Sequence, residues 1–218
     1  MTPPQAGDVL VFSGPWADRI SRWIRLGTCS RWTHCAGVVR LKGGDIRRAQ
    51  KRRVERGRPL LAVSPLQWTD GDYLFESTTL CGLPCLVQDR LVAGVQVHGI
   101  RERVDAYRGS VWVRRLRQPL YAAEHRLLAD WVLDAVGTPY DYTGAAVSAT
   151  WLWKYWLGRR KAADTRQLYC SEVMLDAYQF ALHRRIIRRV TSGSLPPRDV
   201  ARWQNRLYQP LELVREAA

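Results

Sequence analysis

A chain of 218 residues, 46% hydrophobic and 10% aromatic, is long enough to bury a full core and too apolar for disorder. A formal net charge of +14 favours anionic partners such as phospholipid surfaces, cell-wall polymers or nucleic acid, and says nothing of the fold. No apolar run reaches the roughly 18 to 20 residues that cross a bilayer, and "MTPPQAGDVLVF" shows no basic segment leading into an apolar one, so the expectation is one domain over 1–218, cytoplasmic unless exported by a signal-independent route.

"GDVLVFS" (Gly7 to Ser13) reads as a buried strand, and "GPWADRISRWIRLG" after it as a helix. Pro15 suits the first turn, Gly27 the stop, and Ile20, Trp23, Ile24 and the stem of Arg19 one face. "THCAGVVRL" is the next strand, Cys35 to Leu41, entered from the polar turn "TCSRWT". Nine Lys/Arg between Arg40 and Arg58 face only Asp45 and Glu55, a basic insertion over about 40–70. Glycine breakers there bound a short helix, and a solvated loop or helix face is the plainer reading of its charge.

Short strands follow at Tyr73 to Thr78, Gly94 to Ile100 and Ser110 to Leu116. Leu127, Leu128, Trp131, Val132 and Val136 then recur at helical spacing, closed by Gly137. "AAVSATWLWKYWLGRR", within a Trp-rich segment over about 144–160, is aromatic on nearly every side. A further helix begins near Cys170, and the extended tail "LYQPLELV" is expected to pack back. Helices towards both ends and a mostly antiparallel sheet between them make the class α+β.

Cys29, Cys35, Cys81, Cys85 and Cys170 form an odd, unevenly spaced set, read as reduced thiols. "CGLPC" could join His34 or Cys35 at a metal, but no second short-spaced pair completes a four-ligand set, so neither metal nor cofactor is expected. No nucleic-acid motif is present, and no specific nucleic-acid partner is expected.

In "RQLYCSEVMLDAY" one thiol, Cys170, stands where an apolar helix begins. Helix N-termini stabilise a thiolate, and their unpaired amides can hold the oxyanion formed when sulfur adds to a carbonyl. Such a nucleophile needs a base. His125 and His183 lie in charge-rich helical stretches, and His98 could point either way. His34 opens a strand after a tight turn, at the sheet's edge, where a base can face a helix start. Glu76, flanked by apolar strand residues in "LFEST", is the candidate orienting acid, with His98 in reserve.

Together the residues resemble the NlpC/P60 superfamily of papain-like cysteine hydrolases in its circularly permuted branch. The motifs "GDVLVF" and "HCAGVV" stand at the amino end, and "GTPYDY" and "YCSEV" at the carboxyl end, the reverse of the ordinary family order. The resemblance implies an α+β papain-like core with the thiol helix packed on the sheet. It implies Cys170 as nucleophile, His34 as base, Glu76 as third residue, and Tyr140 near the nucleophile. "CSE" replaces "CSG", the His34 to Glu76 gap is lengthened by the basic insertion, and Tyr140 to Cys170 is lengthened by the Trp-rich segment.

The expected activity is hydrolysis of an amide through a thioester acyl-enzyme, on a peptide of peptidoglycan. The permuted branch also resembles lipid acyl hydrolases and acyltransferases, and the basic and Trp-rich segments suit an anionic membrane surface. A non-catalytic basic binding module on the same fold is the remaining alternative.

Overall fold

The computed structural model describes residues 2–15, 19–28, 30–79, 81–143, 145, 167–182, 200–201 and 207–216. The Trp-rich segment, apart from residue 145, lies outside the described residues, as do Cys29, His183 and the side chains of Arg19, Ile20 and Trp23. Among the described residues the elements run β1 (Val9–Ser13), α1 (Arg19–Thr28), β2 (His34–Leu41), α2 (Gly43–Glu55), β3 (Gly71–Thr78), β4 (Gly94–Gly99), α3 (Ile100–Ala106), β5 (Ser110–Leu116), α4 (Ala122–Ala135), α5 (Cys170–Leu182) and β6 (Tyr208–Arg215). The class is α+β as expected. The elements follow the expected order except for α3, which stands between β4 and β5, and the expected strand to Ile100 ends one residue early because Ile100 opens that helix.

One sheet carries the strands in the order β4-β3-β2-β1-β5-β6, every neighbouring pair antiparallel. The tail "YQPLELVR" packs back as its β6 edge. Successive side chains of a strand leave opposite faces, and both faces of β1 are covered, which is why "VLVFS" is apolar almost throughout. Val9 and Val11 join Cys35, Val39 and Phe75 beneath α2, α4 and α5. Leu10 and Phe12 join Ala36, Val38, Leu74 and Val104 on the face covered by α3. Tyr178 anchors α5 to the sheet: its hydroxyl donates to the carbonyl of Asp8 at 2.7 Å and accepts from the amide of Val38 at 3.2 Å.

The basic stretch becomes α2, and one side of it is paired where a solvated face was the plainer reading. Arg52 reaches Asp130 at 3.0 Å and Asp134 at 3.2 Å on α4, and Arg56 reaches Asp134 at 3.0 Å. Arg53, buried, donates to the carbonyls of Pro59 at 2.6 Å and Leu133 at 3.0 Å, placing a cation at the negative end of α4. Lys42, Arg47 and Lys51 remain on the surface. Among the described residues no helix is long and apolar enough to cross a membrane.

Candidate active site

Two segments brought together by backbone pairing place Cys170. Past α4 the chain turns at Gly137 and runs along the start of β4, where the amide of Val95 donates to the carbonyl of Thr138 at 2.9 Å. Gly94 there has φ +143°, and a Cβ would lie 2.1 Å from the carbonyl oxygen of Thr138, so no larger residue fits. Tyr140 next forms a parallel bridge with Leu168, and the amide of Leu168 donates to the carbonyl of Pro139 at 3.0 Å. The hydroxyl of Ser77 on β3 donates to the carbonyl of Leu168 at 2.6 Å. The chain then enters α5 at Cys170, which is 6% exposed, with the first helical bond from the amide of Val173 to the carbonyl of Tyr169.

Across from it, β2 presents His34 and Cys35 on opposite faces. Cys35 packs in the core beneath α5, while the ring of His34 lies 5.3 Å from that of Phe12 on the α3 side. His34 is the first residue of β2, and at that strand end its imidazole lies near enough to Cys170 for the charge of each to shift the pKa of the other. Nε2 of His34 lies 2.5 Å from Oε2 of Glu76, so Nδ1 is the ring nitrogen that the carboxylate does not engage. Adjacent residues of β3 thus index both halves: Ser77 holds the approach to Cys170, and Glu76 holds the imidazole.

Glu76 is fully buried and doubly held from its other side. Arg103 of α3 donates through Nε to Oε1 at 2.6 Å and through Nη2 to Oε2 at 3.2 Å. His98, the reserve for the third position, instead bonds Gln96 at 3.1 Å and Cys81 at 3.4 Å, with Nε2 3.7 Å from Oε1 of Glu76. Neither α3 nor Arg103 was anticipated, although Ile100, Val104 and Tyr107 recur at i, i+4 and i+7 and pack in one cluster.

The electrostatics favour an ion pair. The thiol of Cys170 is lowered well below its ordinary value, first by a hydrogen bond from the thiol of Cys35 and then by the charge of His34, against the effect of burial. Burial also works against the imidazolium of His34, but the charges of Cys170 and Glu76 overcome it and push its pKa up to about 9. Glu76 is buried too, yet Arg103 and His34 hold its carboxyl well below the usual range. Cys35 moves the other way, raised by burial and by the neighbouring Cys170, as befits a proton donor to it. Tyr140, whose bridge partner Leu168 lies two residues before Cys170, is raised by burial and then by the charge of Cys170. The structure therefore brings Cys170, His34, Glu76 and Tyr140 to one locus.

Among the described residues, Glu76, Cys81 and His98 bring ligand-type atoms within 4.8 Å of one another, so that "CGLPC" meets Glu76 and His98 there rather than His34 or Cys35. Both oxygens of Glu76 already accept from Arg103, and Oε2 also from His34, so a cation there would compete with those donors for the carboxylate. Cys85 lies apart, its sulfur accepting from the amide of Val97 at 3.4 Å.

No protein-family model and no curated protein matches the chain. Among solved structures, the chain is similar to the metalloprotein yiiX from Escherichia coli O157:H7, described with the family designation DUF1105. Identity is 21%, covering 84% of this chain and 69% of that one, with a TM-score of 0.48. At that level of likeness nothing said of the neighbour passes to this chain.

Proposed function

We propose that the protein is a cysteine hydrolase on a circularly permuted papain-like core of the NlpC/P60 type, acting on an amide bond of a peptidoglycan peptide. The observation that carries this reading is a helix-start thiol beside an imidazole that is itself fastened to a buried carboxylate. The reverse order of the four motifs along the chain supports the permuted form, and the net charge of +14 suits an anionic wall polymer.

In this mechanism the thiolate of Cys170 attacks the amide carbonyl carbon. The backbone N–H of Cys170, in a first helical turn that has no i−4 carbonyls to bond, steadies the oxyanion. Collapse of the tetrahedral species breaks the C–N bond, and the imidazolium of His34 gives its proton to the departing amine. The neutral imidazole then takes a proton from water, whose hydroxide adds to the thioester and releases the acid and the thiolate. Glu76 keeps the ring oriented and its charge balanced throughout, and the segment of Tyr140, bridged to Leu168, holds the approach to Cys170.

Peptidoglycan and, separately, extracted lipids incubated with the parent and with Cys170→Ala, then analysed by mass spectrometry, test this. Peptide fragments released by the parent alone support it. Equal release by both proteins removes the reading, and acyl exchange in the lipids alone would replace it with an acyltransferase. Binding to either material without turnover, unaffected by Cys170→Ala, would make the protein a binding module.

A further inference from the structure

Arg103 is among the most buried cations of the described residues, and burying a guanidinium is costly unless its geometry is used. It comes from α3, an element that contributes nothing else to the site. Its guanidinium lies 5.2 Å from the ring of Phe12 and 5.4 Å from that of Tyr107, which hold its plane. The hydroxyl of Tyr107 meets that of Thr33 at 3.2 Å, the residue just before His34. Arg215 of β6 donates to the carbonyls of Val104, at 2.6 Å, and Tyr107, tying down the end of α3. The cage that steadies Arg103 is thus joined to the backbone that carries the imidazole.

A glutamate has a broad terminal torsion, and a single contact to histidine would leave its carboxylate free to rotate. The planar fork of an arginine, bonded to both oxygens, removes that freedom. We propose that Arg103 is a positioning residue of the site. It sets the carboxylate of Glu76 so that Oε2 meets Nε2 of His34, and through that contact aims the imidazole at Cys170. This inference rests on the reading of Cys170 as nucleophile and His34 as its partner.

The test is alkylation of Cys170 by iodoacetamide in the parent, Arg103→Lys and Arg103→Met, from pH 5 to 10. The peptide carrying Cys170 is followed by mass spectrometry, and folding by circular dichroism. Arg103→Lys keeps the charge and loses the fork, so labelling near pH 6.5 falls by about tenfold, the scale of one lost charge-assisted hydrogen bond, with the profile's midpoint unmoved. Arg103→Met also removes the counterion, and the midpoint moves up by about one pH unit or more. A merely structural arginine would move the melting curve without moving either reading. A folded variant of either kind with the parent's rate and profile overturns the proposal, as does loss of fold in both. If Arg103→Met alone fails to fold, Arg103→Lys decides. If Cys170 of the parent labels no faster than Cys81 and only above pH 8, the hydrolase reading itself falls, a result distinct from any difference between the variants.

Discussion

Oε2 of Glu76 lies 2.5 Å from Nε2 of His34, although 42 positions separate the two residues in the chain. The contact spans neighbouring strands, β2 and β3, at the end of the sheet where α5 begins. The basic insertion that separates the residues in sequence loops out as α2 and returns, so its length costs the site nothing in geometry. Everything expected of the thiol depends on this contact.

The first consequence is a titration. His34 should lose its proton at about 9 rather than at the ordinary 6.5, because the thiolate and carboxylate beside it favour its charged form. Hydrolysis requires Cys170 ionised and His34 protonated, forms that coexist from the lowered value of the thiol up to about 9. Activity should therefore hold through neutrality and fall as pH rises past about 9. An NMR titration of the His34 ring checks the value directly, and in Cys170→Ala its midpoint should drop because one of the two raising charges is gone. A parent midpoint near 6.5 would contradict the ion pair.

Replacing Glu76 by Gln removes the charge that supports the imidazolium and leaves Arg103 facing a neutral amide. Turnover, or iodoacetamide labelling near neutral pH, should fall by about 100-fold. Melting should also suffer, since a buried charge stripped of its partner costs about 3–5 kcal/mol. The double variant Glu76→Gln/Arg103→Met should regain part of the melting temperature and none of the activity. Recovery of both would mean that Glu76 serves only to neutralise Arg103.

Docking of α5 can be tested away from the chemistry. Tyr178→Phe removes the hydroxyl that bonds Asp8 and Val38, and because the amide of Val38 keeps its bond to the carbonyl of Asp8, the cost should be about 0.5–1.5 kcal/mol. Gly37→Ala should cost a similar amount by crowding, about 1–3 kcal/mol, because its Cβ would stand 2.4 Å from the ring of Phe75 and 2.9 Å from the Tyr178 hydroxyl. Urea denaturation measures both. An unchanged midpoint for Gly37→Ala would mean that Phe75 and Tyr178 do not close over β2 this tightly.

The arginines of α2 should divide sharply. Arg53→Met leaves the carbonyls of Pro59 and Leu133 without a donor and should destabilise by about 1–3 kcal/mol. Arg56→Ala removes an ion pair whose arginine is 55% exposed, worth about 0–1 kcal/mol. Equal losses for the two, again by urea denaturation, would refute the distinction between cap and surface pair.

Local pattern was enough to locate most of the elements. The apolar run of β1, the glycine-bounded α2, the helical spacing that ends before Gly137 and the apolar face of α5 each answer to neighbours within a few residues. So did the candidate residues, since a thiol at a helix start, a histidine opening a strand and a glutamate among apolar strand residues are visible one at a time. What stayed hidden was whatever depends on distant segments meeting. Seven residues of α3 were too few to stand out against the strand before them, and nothing near Arg103 in sequence names Glu76 as its partner. Nor could spacing decide between Glu76 and His98, because pairing register and the face each side chain leaves, not separation along the chain, set which carboxylate or imidazole reaches His34. Local periodicity is written in the order of residues, whereas charge partnership depends on distance in space, and only the folded sheet supplies that distance.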